Sequence, residues 1–138
     1  MHGSCAARDG QAVLLIGPPG AGKSDLVLRL LGRGFDLVAD DQVDIADGQV
    51  TAPAALAGLL EVRGLGILRL PHVPTAHLAL VADLGQRAER LPEPAVHQGL
   101  KVPLVRLDAQ SASAPDRLIM ALDCALGRIA QVAGVFAA

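Results

Sequence analysis

The sequence predicts an α/β fold that is rich in strands, and three observations lead to this class. A short apolar run at 12–16 precedes a glycine-rich loop and a helical pattern, which is the order strand, loop, helix. Six or seven segments have the pattern of strands, whereas only two have the spacing of helices. We therefore expect more strands than a simple doubly wound sheet contains.

Local patterns predict the elements that follow the loop. The first helix has apolar residues at helical spacing and ends at a glycine pair, at positions Leu26, Val27, Leu30, Leu31, Gly32 and Gly34. A strand is predicted at 35–39, and the Asp47-Gly48 dipeptide predicts a tight hairpin turn within 42–52. The segment 59–70 is extended and is interrupted by glycines.

The second half of the chain has fewer turn signals. Its predicted elements are a strand at 77–83, a long polar surface loop at 84–99, a strand at 101–108 and a helix at 114–132. Pro103 has no amide hydrogen, so we expect it at a sheet edge or at the start of its strand. Ser113 and Asp116 have the spacing of a capping box at the beginning of the helix.

Composition and charge exclude several classes of function. The chain has 138 residues, no Trp or Tyr and two Phe, so we expect one domain over 1–138 with an aliphatic core. With 12 basic and 14 acidic residues, no positive field would attract nucleic acid or an anionic membrane surface. The absence of a signal sequence and of an apolar run of about 18 residues favours the cytoplasm. Cys5 and Cys124 are isolated and are expected to be reduced thiols.

The stretch GPPGAGKS at 17–24 matches the pattern G-x-x-x-x-G-K-[ST], and the strand before it and the helix after it are the required context. Glycines let the backbone wrap a phosphate, and the amides at the start of the helix point at it. Lys23 would reach the β- and γ-phosphates, and the Ser24 hydroxyl would bind Mg²⁺. The pattern predicts a site for ATP and Mg²⁺ made by Gly17, Gly20, Ala21, Gly22, Lys23 and Ser24.

Two acidic residues, Asp40 and Asp41, follow the predicted strand at 35–39. Neighbours on a strand point to opposite faces, so the two carboxylates would divide their roles if the strand continues through them. One would serve the Mg²⁺ side, and the other would act as general base toward an incoming hydroxyl. A solvated acidic turn before the hairpin is the alternative, and the upstream glycine loop argues against it.

Glu61 and Arg63 lie two residues apart in an extended segment and therefore on one face of it. The carboxylate could complete a Mg²⁺ shell, and the guanidinium could bind phosphate oxygens. A surface ion pair explains the same two residues equally well.

Together these stretches resemble the catalytic domain of HPr kinase/phosphorylase. The resemblance rests on HG at 2–3, GPPGAGKSD at 17–25, RGFDLVADDQVDI at 33–45 and LLEVRGLGI at 59–67, and its short form resembles the alphaproteobacterial version. It implies a P-loop, phosphoenolpyruvate-carboxykinase-like fold with a strand-rich mixed sheet flanked by helices. It further implies that the protein assembles as a hexamer. The hexamer would use ATP to phosphorylate a serine of an HPr-like phosphocarrier of the phosphotransferase system, and it would phosphorolyse the phosphoserine with inorganic phosphate.

The resemblance also implies roles for individual residues. Asp41 would be the base for phosphorylation and the acid for the reverse reaction, with Asp40 as its supporting neighbour. Glu61 would bind Mg²⁺, His2 would lie near the phosphates, and Arg90 matches an arginine of the family. Lys23 and Arg63 or Arg90 would stabilise the charge on the migrating phosphoryl group.

Two other functions are compatible with the glycine loop. A small-molecule kinase of the P-loop class would need a lid or acceptor domain, and the chain after Ser24 offers only the polar loop at 84–99. A nucleotide-dependent switch or assembly module would bind ATP without turning it over.

Overall fold

The computed structural model describes residues 1–136 and contains nine strands and two α-helices. The strands are β1 Ser4–Arg8, β2 Gln11–Ile16, β3 Asp36–Ala39, β4 Asp44–Ala46, β5 Gln49–Thr51, β6 Leu59–Val62, β7 Gly66–Arg69, β8 Ala76–Asp83 and β9 Leu104–Arg106. The helices are α1 Lys23–Leu31 and α2 Ala114–Ala125, and a short 3-10 helix spans Ala54–Leu56.

Seven of the strands form one mixed sheet in the order β3-β1-β2-β8-β5-β4, with β9 paired to β8. The pairs β2–β8 and β8–β9 are parallel, and the other pairs of this sheet are antiparallel. Strands β6 and β7 form a separate antiparallel hairpin. The fold is therefore a mixed α/β arrangement with more strands than a simple doubly wound sheet, as the sequence predicts.

Apolar residues cover both faces of the large sheet. One core cluster joins α1 and α2 to one face through Leu26, Leu30, Leu118 and Leu122, and it includes Leu60 of β6. The cluster on the other face takes its buried residues from β1, β2, β3, β5 and β8 and from Val43, and from neither helix. Both helices thus lie on the same side of the sheet.

Most of the predicted elements are confirmed. Helix α1 ends at Leu31 with Gly32 as its cap, and the Asp47-Gly48 turn joins β4 to β5 with positive φ at both residues. The glycine-interrupted segment is the β6–β7 hairpin. Strand β9 begins directly after Pro103 and pairs with β8 alone among the strands of residues 1–136, which agrees with the expected edge or start position.

Two expectations about the C-terminal helix are wrong. Helix α2 ends at Ala125 and not at 132, because Gly127 adopts a left-handed conformation with φ of 76° just beyond it. The capping box does not form: Ser113 makes no side-chain cap hydrogen bond, and Asp116 instead lies 3.4 Å from Arg33.

Strand β1 was not predicted from the sequence. Its residues, SCAAR, are mostly small and lack the β-branched side chains that indicate strands. The signal that was present is the Asp9-Gly10 pair, whose φ values of 52° and 77° form the tight turn between β1 and β2.

No helix within residues 1–136 is long and apolar enough to cross a membrane.

The two cysteines differ in exposure, and this predicts different reactivity. Cys5 is fully buried in β1, and burial raises the pKa of its thiol, whereas Cys124 is partly exposed on α2. Since the thiolate is the reactive form, iodoacetamide under native conditions is expected to alkylate Cys124 and to spare Cys5. Peptide mass spectrometry measures both sites, with a denatured sample as the control. Equal native alkylation of the two thiols would contradict the buried position of β1.

Candidate active site

The loop after β2, the beginning of β1 and the end of β3 meet at one end of the large sheet. Strand β2 ends at Ile16 and leads into the loop at 17–22, which we call the glycine loop. Strand β1 pairs antiparallel with both β2 and β3, so its beginning lies beside the ends of both. The pairing continues beyond the strands as a bridge between His2 and Gln42. This topology carries His2, Ser4 and the acidic pair to the glycine loop.

The glycine loop runs directly into the beginning of α1. Gly22 caps the helix with φ of 99°, and a Cβ at this position would lie 3.2 Å from the Cβ of Ala109. A side chain here would therefore be strained both by conformation and by crowding. Lys23 is only 8% exposed, and its Nζ donates hydrogen bonds to the carbonyl oxygens of Gly17 at 2.8 Å and Pro18 at 3.1 Å. The ammonium group thus lies across the glycine loop.

Asp40 is buried, and its carboxylate accepts hydrogen bonds from three elements. Oδ1 lies 2.7 Å from both the Ser24 hydroxyl of α1 and the Ser4 hydroxyl of β1, and Oδ2 accepts from the backbone N–H of Glu61 at 3.2 Å. These three donors compensate the loss of water around a buried carboxylate. Asp40 therefore connects the start of α1, the start of β1 and the β6–β7 hairpin at one point.

Asp41 has a different environment, although the reason differs from the one that the sequence suggests. Strand β3 ends at Ala39 and Asp41 has φ of 71°, so the alternation of faces along a strand does not apply to the pair. The side chain of Asp41 is 69% exposed, and its Oδ1 lies 3.5 Å from Nδ1 of His2. The two acids are separated as expected, because a left-handed residue turns the chain toward solvent after Asp40.

A cleft of about 540 Å³ brings most of the predicted site residues together. Those that line it are His2, Gly20, Gly22, Lys23, Ser24, Asp41, Glu61 and Arg63. Glu61 lies on the solvent face of the β6–β7 hairpin, and within residues 1–136 neither Glu61 nor Arg63 takes part in an ion pair. The surface ion pair that explained these two residues equally well is therefore not present in the described chain.

Arg90 lies elsewhere. It lines a second cavity of about 950 Å³ between the loop at 84–99, strand β9 and helix α2. Arg87, Arg106 and Arg117 line the same cavity. The structure thus does not bring Arg90 to the cleft, and its role stays a prediction.

Ser4 and Gln110 are among the residues that line the cleft and that the sequence does not assign to the site. Ser4 belongs to the unpredicted strand β1, and only the pairing of β1 with β3 brings it to Asp40. Gln110 is placed by Arg29, whose guanidinium donates to the carbonyl oxygens of Ala109 and Ser111. Neither residue belongs to a local motif, so no pattern in the sequence identifies them.

The fold and the site define a mixed α/β protein whose cleft of charged and hydroxyl groups lies at one end of the sheet. The family model for the HPr Serine kinase C-terminal domain matches residues 1–76, which include every predicted site residue except Arg90. The chain belongs to this family.

Curated relatives support the same assignment. An HPr kinase/phosphorylase of Clostridium novyi (strain NT) is 47% identical over 75 residues, which are 51% of this chain and 24% of the relative. One of Verminephrobacter eiseniae (strain EF01-2) is 33% identical over 98% of this chain and 48% of the relative. This chain therefore spans less than half the length of these relatives.

A solved structure is similar in fold. The HPr(Ser) kinase/phosphatase from Coxiella burnetii matches with a TM-score of 0.67, over 88% of this chain and 86% of that one, at 22% sequence identity. The similarity extends beyond the residues that the family model matches, so the second half of the chain belongs to the same fold.

Proposed function

We propose that this chain is an ATP-dependent protein serine kinase acting on an HPr-like phosphocarrier of the phosphotransferase system. With inorganic phosphate as acceptor, it would also phosphorolyse the phosphoserine. The observation that carries the proposal is that the exposed carboxylate of Asp41 lines the same cleft as Lys23 and Ser24. Phosphoryl transfer to a hydroxyl needs a general base and a positively charged group beside the phosphates, and Asp41 and Lys23 would supply these two parts.

The glycine loop suits the phosphates of ATP. Its backbone leads into the beginning of α1, where unpaired amides and the helix dipole favour an anion. The ammonium of Lys23 already lies across the loop, bonded to two carbonyl oxygens that phosphate oxygens could replace as partners. In this assignment Gly17, Gly20, Ala21, Gly22, Lys23 and Ser24 form a P-loop, and the fold is of the phosphoenolpyruvate-carboxykinase-like type.

The donors at the cleft also suit Mg²⁺, which prefers oxygen ligands and is often bound through few protein groups together with phosphates. Ser24 and Glu61 supply a hydroxyl and a carboxylate, and the buried Asp40 holds the Ser24 hydroxyl at 2.7 Å. Residues 1–136 contain no group of three or more His, Cys, Asp or Glu that could hold an ion by themselves. The proposal therefore assigns the ion to Ser24 and Glu61 together with the phosphates, where it would neutralise phosphate charge.

The remaining residues of the cleft would act on the acceptor and on the moving charge. Asp41 takes the proton of the seryl hydroxyl as its oxygen bonds to the γ-phosphorus and the bond from that phosphorus to ADP breaks. In phosphorolysis an oxygen of inorganic phosphate bonds to the phosphorus of phosphoserine and gives pyrophosphate, while Asp41 returns the proton to the departing seryl oxygen. His2, 3.5 Å from this carboxylate, orients it, and Lys23 and Arg63 stabilise the charge on the phosphoryl oxygens.

The resemblance carries further parts of the proposal. Assembly as a hexamer follows from it, whereas length, charge and hydropathy support one catalytic domain over 1–138, a cytoplasmic location and no role for nucleic acid or membrane. Arg90 would act on the phosphoryl charge only if another copy or a movement of the loop at 84–99 brought it to a cleft.

Mixing the chain with HPr, Mg²⁺ and ATP, and then adding excess phosphate, tests the proposed function. Mass spectrometry of HPr and of its peptides is expected to detect one phosphate on a seryl residue and its loss after phosphate is added. ATP turnover that leaves HPr unmodified would instead favour a small-molecule kinase. Nucleotide binding without any turnover would favour a switch module.

A further inference from the structure

We infer that Ser4 is a positioning residue that holds Asp40 and Asp41 in their separate roles, an inference that rests on the proposed function. Ser4 is fully buried in β1, and it lies at the wall of the cleft beside both acids. The buried polar or charged residues of the described chain are Ser4, Lys23 and Asp40, and all three lie at this site.

The Ser4 hydroxyl bonds to both acids at once. It donates to Oδ1 of Asp40 at 2.7 Å and accepts the backbone N–H of Asp41 at 3.3 Å. A hydroxyl has one hydrogen and two lone pairs, so both bonds can exist together. No other side chain in residues 1–136 forms hydrogen bonds with both Asp40 and Asp41.

The bond to the Asp41 N–H affects the orientation of the Asp41 carboxylate, which is the proposed general base. Asp41 adopts φ of 71°, a conformation that non-glycine residues keep only when their surroundings hold them in it. Two hydrogen bonds hold the backbone of this residue: its N–H donates to the Ser4 hydroxyl, and its carbonyl oxygen accepts from the N–H of Gly3. Without the Ser4 hydroxyl, the Asp41 amide loses its acceptor, and the carboxylate loses part of what aims it into the cleft.

The bond to Asp40 acts on the other side of the same hydroxyl. Asp40 Oδ1 is shared between Ser4 and Ser24, so Ser4 helps to fix the oxygen that orients the Ser24 hydroxyl. Removing Ser4 leaves the bonds of Asp40 to Ser24 and to the Glu61 N–H in place. We therefore expect the nucleotide site to survive such a change better than the alignment of the base does.

Two variants separate positioning from a merely structural role. Ser4→Ala removes the hydroxyl, and Ser4→Thr keeps it and adds a methyl group in a strand, where threonine is favoured. Ser4→Ala is expected to lower kcat by about 10–100-fold, because even a small misplacement of a catalytic group can cost about 10²-fold in rate, while KM for ATP changes by less than about threefold. Ser4→Thr is expected to retain most of kcat.

A second measurement does not depend on activity. Amide hydrogen exchange of Asp41, followed by NMR, is expected to be at least about tenfold faster in Ser4→Ala than in the unchanged chain or in Ser4→Thr. An undiminished kcat in Ser4→Ala would overturn the inference. Equal losses of kcat in Ser4→Ala and Ser4→Thr, together with a lowered Tm in both, would overturn it as well. If Ser4→Ala fails to fold, Ser4→Thr alone decides. The inference is overturned if both kcat and the rate of Asp41 amide exchange in Ser4→Thr differ from those of the unchanged chain.

Failure of the proposed function and failure of the role of Ser4 give different results. An unchanged chain that phosphorylates no HPr refutes the proposed function and the kinetic part of this inference, whatever the variants do. An unchanged chain that phosphorylates HPr, with Ser4→Ala equally active and its Asp41 amide equally protected, refutes the role of Ser4 alone.

Discussion

An Asp41→Asn variant is expected to transfer phosphate to the seryl acceptor about 10²–10⁴-fold more slowly than the unchanged chain. The amide has the size of the carboxylate and tolerates the left-handed φ of 71°, but it cannot accept the seryl proton. Nucleotide affinity should be nearly unchanged, because the contacts assigned to the nucleotide belong to the glycine loop, Lys23 and Ser24. Single-turnover kinetics with phosphate transfer as the signal, together with calorimetric titration of ATP, measure the two quantities.

Asp47→Asn is a matched control for this variant. Asp47 is also an exposed aspartate with a positive φ of 52°, and it lies in the β4–β5 turn away from the cleft. The same chemical change there should leave the rate of transfer as it is. If Asp41→Asn transfers phosphate at the rate of the unchanged chain, Asp41 is not the base.

Replacing Lys23 by Ala should weaken ATP binding itself, by about 10–100-fold, because a charge-assisted contact to phosphate oxygens is lost. The variant also removes both bonds that Lys23 makes to the carbonyls of Gly17 and Pro18, so the loop becomes less ordered. Transfer to the acceptor should fall as well, since the same ammonium stabilises the phosphoryl charge. Calorimetric titration of ATP with Mg²⁺ measures the affinity.

Lys101→Ala is the control, because Lys101 is the only other lysine of the chain and is exposed outside the cleft. Its removal changes the net charge by the same amount and should leave ATP affinity unaltered. Equal ATP affinities of Lys23→Ala and the unchanged chain would refute the assignment of the glycine loop to phosphate.

The parts of the fold that the sequence predicts are those with short-range causes. The order β2, glycine loop, α1 follows from one motif and one apolar pattern, and the β4–β5 hairpin follows from Asp47-Gly48. The sequence also predicts that the side chains of Asp40 and Asp41 have different environments, but it predicts this from the alternation of faces along a strand. The actual cause is the end of β3 at Ala39 and the left-handed conformation of Asp41.

The parts that could not be predicted depend on long-range pairing. Strand β1 consists mostly of small residues, and its pairing with β3 makes Ser4 a neighbour of Asp40, 36 positions later. Gln110 reaches the cleft because Arg29 holds the backbone on either side of it, at sequence separations of 80 and 82. The early end of α2 is an exception with a local cause, Gly127, which helical spacing alone does not reveal.

The three hydrogen bonds to the Asp40 carboxylate have a consequence for the order in which the protein folds. They come from donors 36, 16 and 21 positions away along the chain, on separate elements. Contacts of this kind form only after several elements have come together, since each requires its own loop to close. During refolding, the ability to do chemistry should therefore return later than the helical signal of α1 and α2.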